Sequence, residues 1–451
     1  GHADDEAQMR ALMDAGLTFA HEHALRPGIA LTPEQMAALT SDILWLVERE
    51  VTLPDGSRQT VLVPQVYVRV QPGDLDGTGT LLSADRLELD LTGDFTNSGT
   101  VAGRTALSLT AENVKNLGGR LTAQSVDVHA RQDLDNLGGL IDAGSRLAAT
   151  AGRDLTVATT TASTATSTST QAGPNGFERT TLDRVAGLYV SEAGATLLAS
   201  AGRDLVLQAA QVSNTGAGGT TVLAAGRDLT LGTVATAEAD QLQWNPRNWL
   251  HTGQQQDVGT QIQATGDIAL VAGRDLSARA ATVSSEQGGV FAQAGRDLTV
   301  EAGQASQSYE QASHIKSRRT LSKKTTTTYD HVEQSMALGS TFSAETVDLL
   351  AGRDLTVRGS DVVSSTGTTL AAARDVTIEA ATESVGEQHF KETKKSGVFS
   401  SGASLTFGKQ QHSTDAALEN TTARGATVGS VEGNVLIQAG GAYRQTGSDV
   451  I

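Results

Sequence analysis

From about residue 72 onward, short runs of alternating apolar and polar residues recur between turn-forming glycines and asparagines. The turns fall near Asp76, Asn97, Asn116 and Asn136, and the steps between them are about 20 residues. Alternation places every second side chain on the same face of a β-strand. A unit of this length that holds two or three short strands is typical of a β-solenoid. We therefore predict an all-β solenoid over residues 72–451.

One seven-residue stretch, AGRDLTV, occurs at residues 151–157, 294–300 and 351–357, with close copies starting at 201, 225 and 272 and a variant, AARDV, at 372. We predict that each copy forms one corner and one strand of a repeat unit. Glycine permits either a positive φ or a close backbone approach at the corner. The Arg and Asp rows would stack ~4.8 Å apart and neutralise each other, which at a solvated surface stabilises by at most about 1 kcal/mol per pair.

The steps between these copies are uneven: 50, 24, 47, 22, 57 and 21 residues. A short step is one repeat unit, and a long step is one unit plus a polar insertion. We predict four insertions, near residues 158–183, 237–260, 305–340 and 383–425. Insertions of this kind project from one face of a solenoid, which is often the binding face.

Residues 1–71 follow a different pattern, which predicts a small α+β module. Apolar residues from Met9 to Phe19 recur at steps of three and four, as in a helix. A second helix is expected over residues 31–50, capped by Thr32 with Gln35 completing a capping box. A β-hairpin is then expected, with its turn at residues 54–56.

Composition limits the chemistry that this 451-residue chain can perform. Aromatic residues make up 4% of the chain, so a thick aromatic core is not expected. The net charge of −17 argues against nucleic acid as a partner, because phosphate binding needs clustered Lys and Arg. The chain has no cysteine, which excludes disulfides and thiolate metal sites. The opening GHADDEAQ suggests an excised fragment with a tag remnant at Gly1 and His2.

Candidate catalytic motifs are weak. The HEH at residues 21–23 lacks the i, i+4 spacing of a zinc-binding helix, and GDLDGTG at 73–79 lacks the distal Glu of a calcium loop. GASLTFGK at 402–409 departs from the phosphate-binding loop in its glycine spacing and in the residue after the Lys. We therefore expect no catalytic, cofactor or metal site.

The insertions provide the remaining candidates for binding. Two of them contain alternating runs that predict β-hairpins, and a third contains two of the three tryptophans of the chain. Tryptophan is favoured at membrane interfaces and at protein contacts, although these two could instead hold their loop against the solenoid. The predicted membrane or partner contacts are Trp244, Trp249, Leu250, Met336, Leu338, Phe342, Phe399, Leu405 and Phe407.

Several segments resemble a known family. The units with AGRDLTV corners resemble the filamentous haemagglutinin repeats of two-partner-secretion exoproteins. Residues 314–357 and 394–414 resemble the haemagglutinin repeat of the second, more C-terminal repeat region of that family. Residues 31–68 resemble the segment that precedes this region in contact-dependent growth inhibition effectors of the CdiA type.

The resemblance implies a right-handed parallel β-helix in an exoprotein that is secreted to the Gram-negative cell surface through an outer-membrane transporter partner. It also implies a non-enzymatic segment that acts at the target-cell outer membrane or a receptor there, to help deliver a C-terminal toxin. The alternative is an adhesin stalk with receptor- or glycan-binding loops. A carbohydrate-active enzyme is disfavoured because no carboxylate cluster is evident. We expect a monomer with no nucleic-acid partner.

Overall fold

The computed structural model describes residues 5–23, 25–32, 35, 38–39, 41, 43–52, 58–67, 81–171, 173–320, 322–401 and 404–451. The chain divides into two compact units, Gly1–Gly79 and Thr80–Ile451. The predicted boundary at residues 71 and 72 and the GDLDGTG motif lie outside the described residues.

The described residues of the first unit include the helix α1 (Asp5–Glu22) and an antiparallel pair of strands, β1 (Ile43–Thr52) and β2 (Arg58–Tyr67). Phe19 of α1 packs into a core with Ile43, Trp45 and Val47 of β1. The helix comes so close to β1 that a Cβ atom at Gly16 would lie 2.3 Å from the carbonyl oxygen of Leu44. The predicted first helix and the hairpin pairing are therefore confirmed, and the turn between the two strands lies outside the described residues.

The second predicted helix is wrong over residues 43–50, which belong to β1. Its capping box does form, because the Thr32 amide donates to Gln35 Oε1 at 2.9 Å and the Gln35 amide donates to Thr32 Oγ1 at 3.3 Å. The apolar residues that follow include Ile43, Trp45 and Val47, which alternate with more exposed neighbours. That two-residue period places them on one face of a strand, so the helix predicted from Thr32, where Gln35 is helical, does not extend to Ile43.

All regular elements in the described residues of the second unit are strands. The strands up to the end of the first insertion are β3 (Leu81–Asp90), β4 (Phe95–Asn97), β5 (Thr100–Ala111), β6 (Val114–Leu117), β7 (Arg120–Ala130), β8 (Leu134–Leu137), β9 (Leu140–Ala151), β10 (Leu155–Ala158), β11 (Thr161–Thr170) and β12 (Gly173–Leu182). Those up to the end of the second insertion are β13 (Gly187–Val190), β14 (Thr196–Ala201), β15 (Leu205–Gln208), β16 (Gln211–Asn214), β17 (Thr220–Ala225), β18 (Leu229–Asn245) and β19 (Asn248–Gly259).

The strands up to the end of the third insertion are β20 (Gln261–Ala264), β21 (Asp267–Ala272), β22 (Leu276–Arg279), β23 (Thr282–Ser285), β24 (Val290–Ala294), β25 (Leu298–Glu301), β26 (Gly303–Arg319) and β27 (Ser322–Leu338). The remaining strands are β28 (Thr341–Ala351), β29 (Leu355–Arg358), β30 (Asp361–Ala372), β31 (Val376–Glu379), β32 (Ala381–Ser401), β33 (Ser404–Arg424), β34 (Thr427–Ser430), β35 (Asn434–Ala439), β36 (Tyr443–Thr446) and β37 (Asp449–Val450).

Equivalent strands of successive repeat units pair in parallel and in register. Leu155 of β10, for example, pairs with Leu134 of β8 on one side and with Leu205 of β15 on the other. The fold is therefore all-β and built on parallel ladders, as the alternating pattern predicts. Because the register is kept, each inward side chain lies over a similar side chain of the next unit.

The core between the ladders is aliphatic. Leucines at the first strand position after each AGRD corner, such as Leu155, Leu205 and Leu229, have no exposed surface. Alanines such as Ala151 and Ala201 fill the narrow corners. Phe342 is the only aromatic side chain among the buried hydrophobic residues described in this unit. Small and branched side chains thus fill the core, which agrees with the expectation from the low aromatic content that no thick aromatic core would form.

The AGRD corners are held by close backbone contact and by paired charges. A Cβ atom at Gly226 would lie 2.1 Å from the carbonyl oxygen of Gly202 in the preceding unit. Among the described glycines with positive φ, none belongs to an AGRD corner, so close approach explains the glycine there. Arg227 donates from Nε to Asp204 Oδ1 at 2.7 Å and from Nη2 to Asp204 Oδ2.

The same bidentate bond recurs from unit to unit. Each arginine donates to the aspartate of the preceding unit, which confirms that the two rows neutralise each other. We call this series of bidentate pairs the arginine–aspartate relay. Its arginines are Arg153, Arg203, Arg227, Arg274, Arg296, Arg353 and Arg374.

Another corner of the first units holds a short asparagine ladder. Asn97 Nδ2 donates to Asn116 Oδ1, and Asn116 Nδ2 donates to Asn136 Oδ1, both at 2.8 Å. All three side chains are buried. The asparagines that mark turns in the sequence therefore also satisfy each other's amides inside the stack.

We predict that Gly226→Ala destabilises the chain by about 1–3 kcal/mol, because the added methyl group would overlap the carbonyl oxygen of Gly202. The midpoint of urea denaturation, followed by circular dichroism, measures this loss. Ala373→Gly is the matched control, since position 373 already has a methyl group at the equivalent corner. An unchanged midpoint for Gly226→Ala would show that close approach does not limit the packing of the units.

The relay also predicts a loss of stability in acid. The hydrogen bond from the arginine partner lowers the pKa of Asp133, Asp154, Asp275 and Asp354 below the usual value of 3.8. The pKa of Asp in an unfolded chain is about 4, and above this pH the four aspartates contribute fully to the free energy of unfolding. This contribution is lost as the pH falls through their lower pKa values in the folded chain.

Urea midpoints measured from pH 6 down to about pH 2 should therefore fall most steeply below pH 4. The double variant Asp154→Asn/Asp275→Asn should lose stability at pH 6 and show a shallower fall in acid. Asp415→Asn/Asp449→Asn, at two exposed positions, is the charge-matched control. Parallel curves for all three proteins would contradict a role of the relay in stability.

Candidate functional site

The four insertions form four antiparallel hairpins. The first is β11–β12 and the second joins the outer part of β18, from Thr233, to β19. The third is β26–β27 and the fourth is β32–β33. Neighbouring hairpins also pair with each other, through β12–β18, β19–β26 and β27–β32. The insertions are therefore one continuous eight-stranded antiparallel sheet, which we call the side sheet.

The side sheet forms because hairpins leave alternate repeat units at the same point. The ladder that follows the AGRD corners runs through β10, β15, β18, β22, β25, β29, β31 and β36. Hairpins follow β10, β18, β25 and β31, and the units between them have none. A hairpin has two strands, and two repeat units occupy two strand spacings of ~4.8 Å. Hairpins on alternate units therefore meet edge to edge without a gap.

The hairpins lengthen along the sheet. The strands β11 and β12 of the first hairpin have 10 residues each, and β19 of the second has 12. In the third hairpin β26 and β27 each have 17 residues, and in the fourth β32 and β33 each have 21. Beyond the turn of the second hairpin, the described part of the sheet contains only β26, β27, β32 and β33. The far ends of these four strands project past the shorter hairpins, and we call them the tip.

Trp249 packs on the side sheet itself. Its ring stacks on His251 with centroids 4.5 Å apart and meets Tyr329 edge-on at 6.3 Å. Ala312 lies between Trp249 and Tyr329 in the cross-strand register, so its small side chain leaves room for the two rings to meet. Tyr329 donates to Glu310 Oε1 at 2.7 Å, and this hydrogen bond raises the pKa of the tyrosine. Trp249 thus links three strands.

The other two candidates in the second hairpin lie apart from Trp249. Trp244 is at the end of β18 and is 58% exposed. Leu250 alternates with Trp249, so it lies on the opposite face of the sheet, where it pairs with Leu242 of β18. The tryptophans therefore do not form one apolar patch.

Phe342 does not belong to the candidate surface. It lies on β28, pairs with Val283 and Val362 of the neighbouring units and has no exposed surface. The hairpin strand β27 ends at Leu338, and the buried Ser340 accepts the Ala281 amide at 2.9 Å where the chain returns to the ladder. The alternation of apolar and polar residues continues from β27 into β28, so the sequence did not separate Phe342 from Met336 and Leu338.

The remaining candidates lie at the two ends of the side sheet. Met336 and Leu338 are partly buried at the base of β27. Phe399 and Leu405 belong to the end of the fourth hairpin, where Phe399 is opposite Thr406, and Phe407 nearby is 81% exposed. Fifteen register rows separate Phe407 from Met336, which is roughly 50 Å along the strands. The candidates therefore do not converge on a single contact site.

A basic cluster at the tip was missed in the sequence. Residues 314–326 and 391–412 contain nine of the 34 Lys and Arg residues of the chain and one acidic residue, Glu392. On one face the register places together Lys316, Arg318, Lys323, Lys394 and Lys409. The opposite face contains Arg319, Lys324, Lys391 and Lys395. We call these nine residues the basic tip; the signal was present in the two segments, but only the pairing of β27 with β32 joins them.

An ion pair connects β27 and β32 below the tip. His389 Nδ1 lies 2.8 Å from Asp330 Oδ1, and Glu387 lies 3.6 Å from Nε2. The hydrogen bond to Asp330 is the main cause that raises the pKa of His389 above its usual value of 6.5. The third and fourth hairpins are therefore joined by a contact whose charge depends on pH.

Neither a metal centre nor a helical membrane span is evident in the part of the chain that the structure describes. No cluster of three or more His, Asp or Glu side chains there could hold a metal ion. Within the same residues, no helix is long and apolar enough to cross a membrane.

Comparison with known proteins identifies the family. A model of the hemagglutinin repeat matches residues 247–318 and 315–451, which cover β19 of the second hairpin and the whole third and fourth hairpins. The chain is 31% identical, over its whole length, to the "tRNA nuclease CdiA" of Escherichia coli. The chain belongs to the haemagglutinin-repeat region of CdiA-type exoproteins.

Other relatives of this CdiA group also match the whole chain. The "16S rRNA endonuclease CdiA" of Enterobacter cloacae and the "Deoxyribonuclease CdiA" of Dickeya dadantii are each 30% identical to it. The chain spans only 15–16% of the length of these relatives. No solved structure matches the fold.

We predict that the pairing of β27 with β32 weakens as the pH rises. The raised pKa of His389 means that the ion pair stabilises fully below about pH 6.5, the unfolded His value, and that this contribution is lost as the pH rises through the higher folded pKa. Amide hydrogen exchange of β32, corrected for intrinsic rates, should show protection decreasing above pH 6.5.

His389→Gln should remove this pH dependence and give the low protection at every pH. His412→Gln, on β33, is the control and should retain the dependence because it leaves Asp330 and His389 unchanged. Equal pH profiles for His389→Gln and the native chain would rule out this ion pair as the cause.

Proposed function

We propose that this chain is a non-enzymatic translocation segment that acts at the target-cell outer membrane and helps to deliver a C-terminal toxin. The proposal includes secretion to the bacterial surface through an outer-membrane transporter of the two-partner type. The single observation that carries it is that relatives named for different activities share this region. A tRNA nuclease, a 16S rRNA endonuclease and a deoxyribonuclease are all similar to the whole chain.

A region that is common to proteins with different nucleic-acid substrates supports a task that is independent of the substrate. Export, display and delivery are such tasks, whereas choice of substrate is not. The side sheet favours delivery over simple display. A stalk needs only the repeat units, but eight paired strands with a charged end form an additional surface that a spacer does not require.

The ladders also support the finer description of the fold as a right-handed parallel β-helix. Parallel strands that pair in the same sheet must be joined by crossover connections, and about 98% of such connections are right-handed. The units join β8, β10 and β15 in this way, one after the other. An experimental structure of residues 81–451 would determine the hand directly.

The delivery function is tested in a chimera. The corresponding segment of the Escherichia coli relative is replaced by this chain, either intact or with each hairpin shortened to an Asn-Gly turn at Thr160–Asp183, Thr233–Gly259, Gly303–Leu338 and Ala381–Arg424. We expect the shortened version to be displayed and to bind target cells, because the ladders do not depend on the side sheet. Killing of target cells should fall to the level of a strain without effector.

Surface labelling and counts of attached target cells provide the controls for display and adhesion. If shortening abolishes both attachment and killing, the side sheet is an adhesin surface and the stalk alternative is correct. Unchanged killing by the shortened chimera would contradict both functions of the side sheet.

A further inference from the structure

We propose that the basic tip is a docking surface for phosphate-bearing lipid headgroups of a membrane. This inference rests on the proposed function and deepens it by assigning the surface that first contacts the membrane. The chain as a whole has a net charge of −17, so a cluster of nine basic residues with a single acidic residue is a local exception. The third and fourth hairpins bring this cluster together beyond the reach of the other strands.

The positive charges of the tip are almost uncompensated within the protein. Lys394 pairs with Glu392 at 2.8 Å, and it is the only member of the basic tip with a salt bridge to a described residue. The other members are exposed. An ordinary surface of mixed charge would place acidic side chains between them.

Two of the cross-strand pairs place like charges directly opposite each other. Arg318 is opposite Lys323 within the third hairpin, and Lys324 is opposite Lys395 where β27 pairs with β32. Like charges at directly opposite positions destabilise a sheet. An anionic partner between these side chains would remove the repulsion, so the arrangement favours a bound anion over an empty surface.

The geometry of the tip can receive several headgroups at once. A cleft on one face is lined by Lys323, Lys394 and Lys409, together with the polar side chains of Thr325 and Gln411. Lysine ammonium groups bind phosphate as point charges and need no fixed orientation. That tolerance suits a layer of mobile headgroups more than one defined small molecule.

Apolar side chains beside the charges favour a lipid surface over a nucleic acid. Phe407 lies two residues before Lys409 on the same strand face and is 81% exposed, and Ile315 beside Lys316 is 63% exposed. Amphipathic membrane-surface segments combine basic and apolar side chains in this way. Single-stranded nucleic acids need a series of aromatic side chains for base stacking, and Phe407 is the only exposed aromatic side chain described at the tip.

The test is flotation of the 451-residue chain with vesicles of phosphatidylglycerol and phosphatidylcholine, beside vesicles of phosphatidylcholine alone. We expect binding to the anionic vesicles only, and weaker binding when salt is raised from about 0.1 M to about 1 M, where the screening length falls from ~10 to ~3 Å. The triple variant Lys323→Gln/Lys394→Gln/Lys409→Gln should bind on the order of 100-fold less, since each basic residue near an anionic surface contributes about fivefold.

Two further variants complete the design. Arg86→Gln/Arg104→Gln/Lys115→Gln changes the net charge equally in the first repeat units and should bind like the native chain. Phe407→Ser should weaken binding about tenfold at both salt concentrations, because the loss of apolar burial is not screened. Circular dichroism and the urea midpoint of each variant establish that it is folded, as expected for exposed positions.

Several outcomes would overturn the inference. These are equal flotation of the tip variant and the matched control, binding to neutral vesicles at the same strength, and capture of a single- or double-stranded oligonucleotide in preference to anionic vesicles. Displacement from vesicles by millimolar-range inorganic phosphate would instead identify a site for the free anion and also overturn it. If the triple tip variant floats like the native chain, but shortening the hairpins still abolishes killing by the chimera, the proposed function holds and only this inference fails. If the tip variant loses flotation while the shortened chimera still kills, the membrane surface is real and the proposed function is wrong.

Discussion

The spacing between hydrogen-bonded strands, about 4.8 Å, is the constraint on which the rest of this structure depends. It sets the distance between successive repeat units, because equivalent strands pair in parallel and in register. At that distance the corner of one unit touches the next, so position 226 has room for glycine and the guanidinium of Arg227 reaches the carboxylate of Asp204. The recurring AGRDL motif is the sequence expression of this one spacing.

The same spacing generates the side sheet. A hairpin needs two strand widths, and hairpins that follow alternate repeat units have that width available. Four insertions that could have been independent loops therefore join through β12–β18, β19–β26 and β27–β32. Both edges of the sheet, β11 and β33, are exposed along most of their described length, and charged residues such as Lys409 and Asp415 on β33 disfavour pairing with another chain.

The two parts of the second unit have different chemistry because they meet different demands. The ladders bury aliphatic side chains and compensate their surface charges internally through the arginine–aspartate relay. The side sheet buries little, and its charge changes from acidic near the ladders to strongly basic at the tip. A stable support that presents a charged, thin projection agrees with a segment that CdiA-type relatives share although they are named for different activities.

The sequence by itself determined the local features: the repeat length, the inward leucines, the paired charges of the AGRDL corners, the helix α1 and the existence of four insertions. Each of these depends on residues close in the chain or on a pattern that repeats. The alternation of long and short steps between the AGRD copies also shows that an insertion follows every second repeat unit. That hairpins on every second unit join into one sheet depends on the strand spacing. Local signals also misled, since the capping box at Thr32 and Gln35 is followed by the strand β1, where burial of Ile43 and Trp45 decided the outcome.

Only the tertiary structure decided that Phe342 is core, that Trp249 stacks across strands and that the lysines of two distant segments form one tip. Pairing between strands that are distant in the chain decides these features, and no local pattern encodes which partner a strand edge will find.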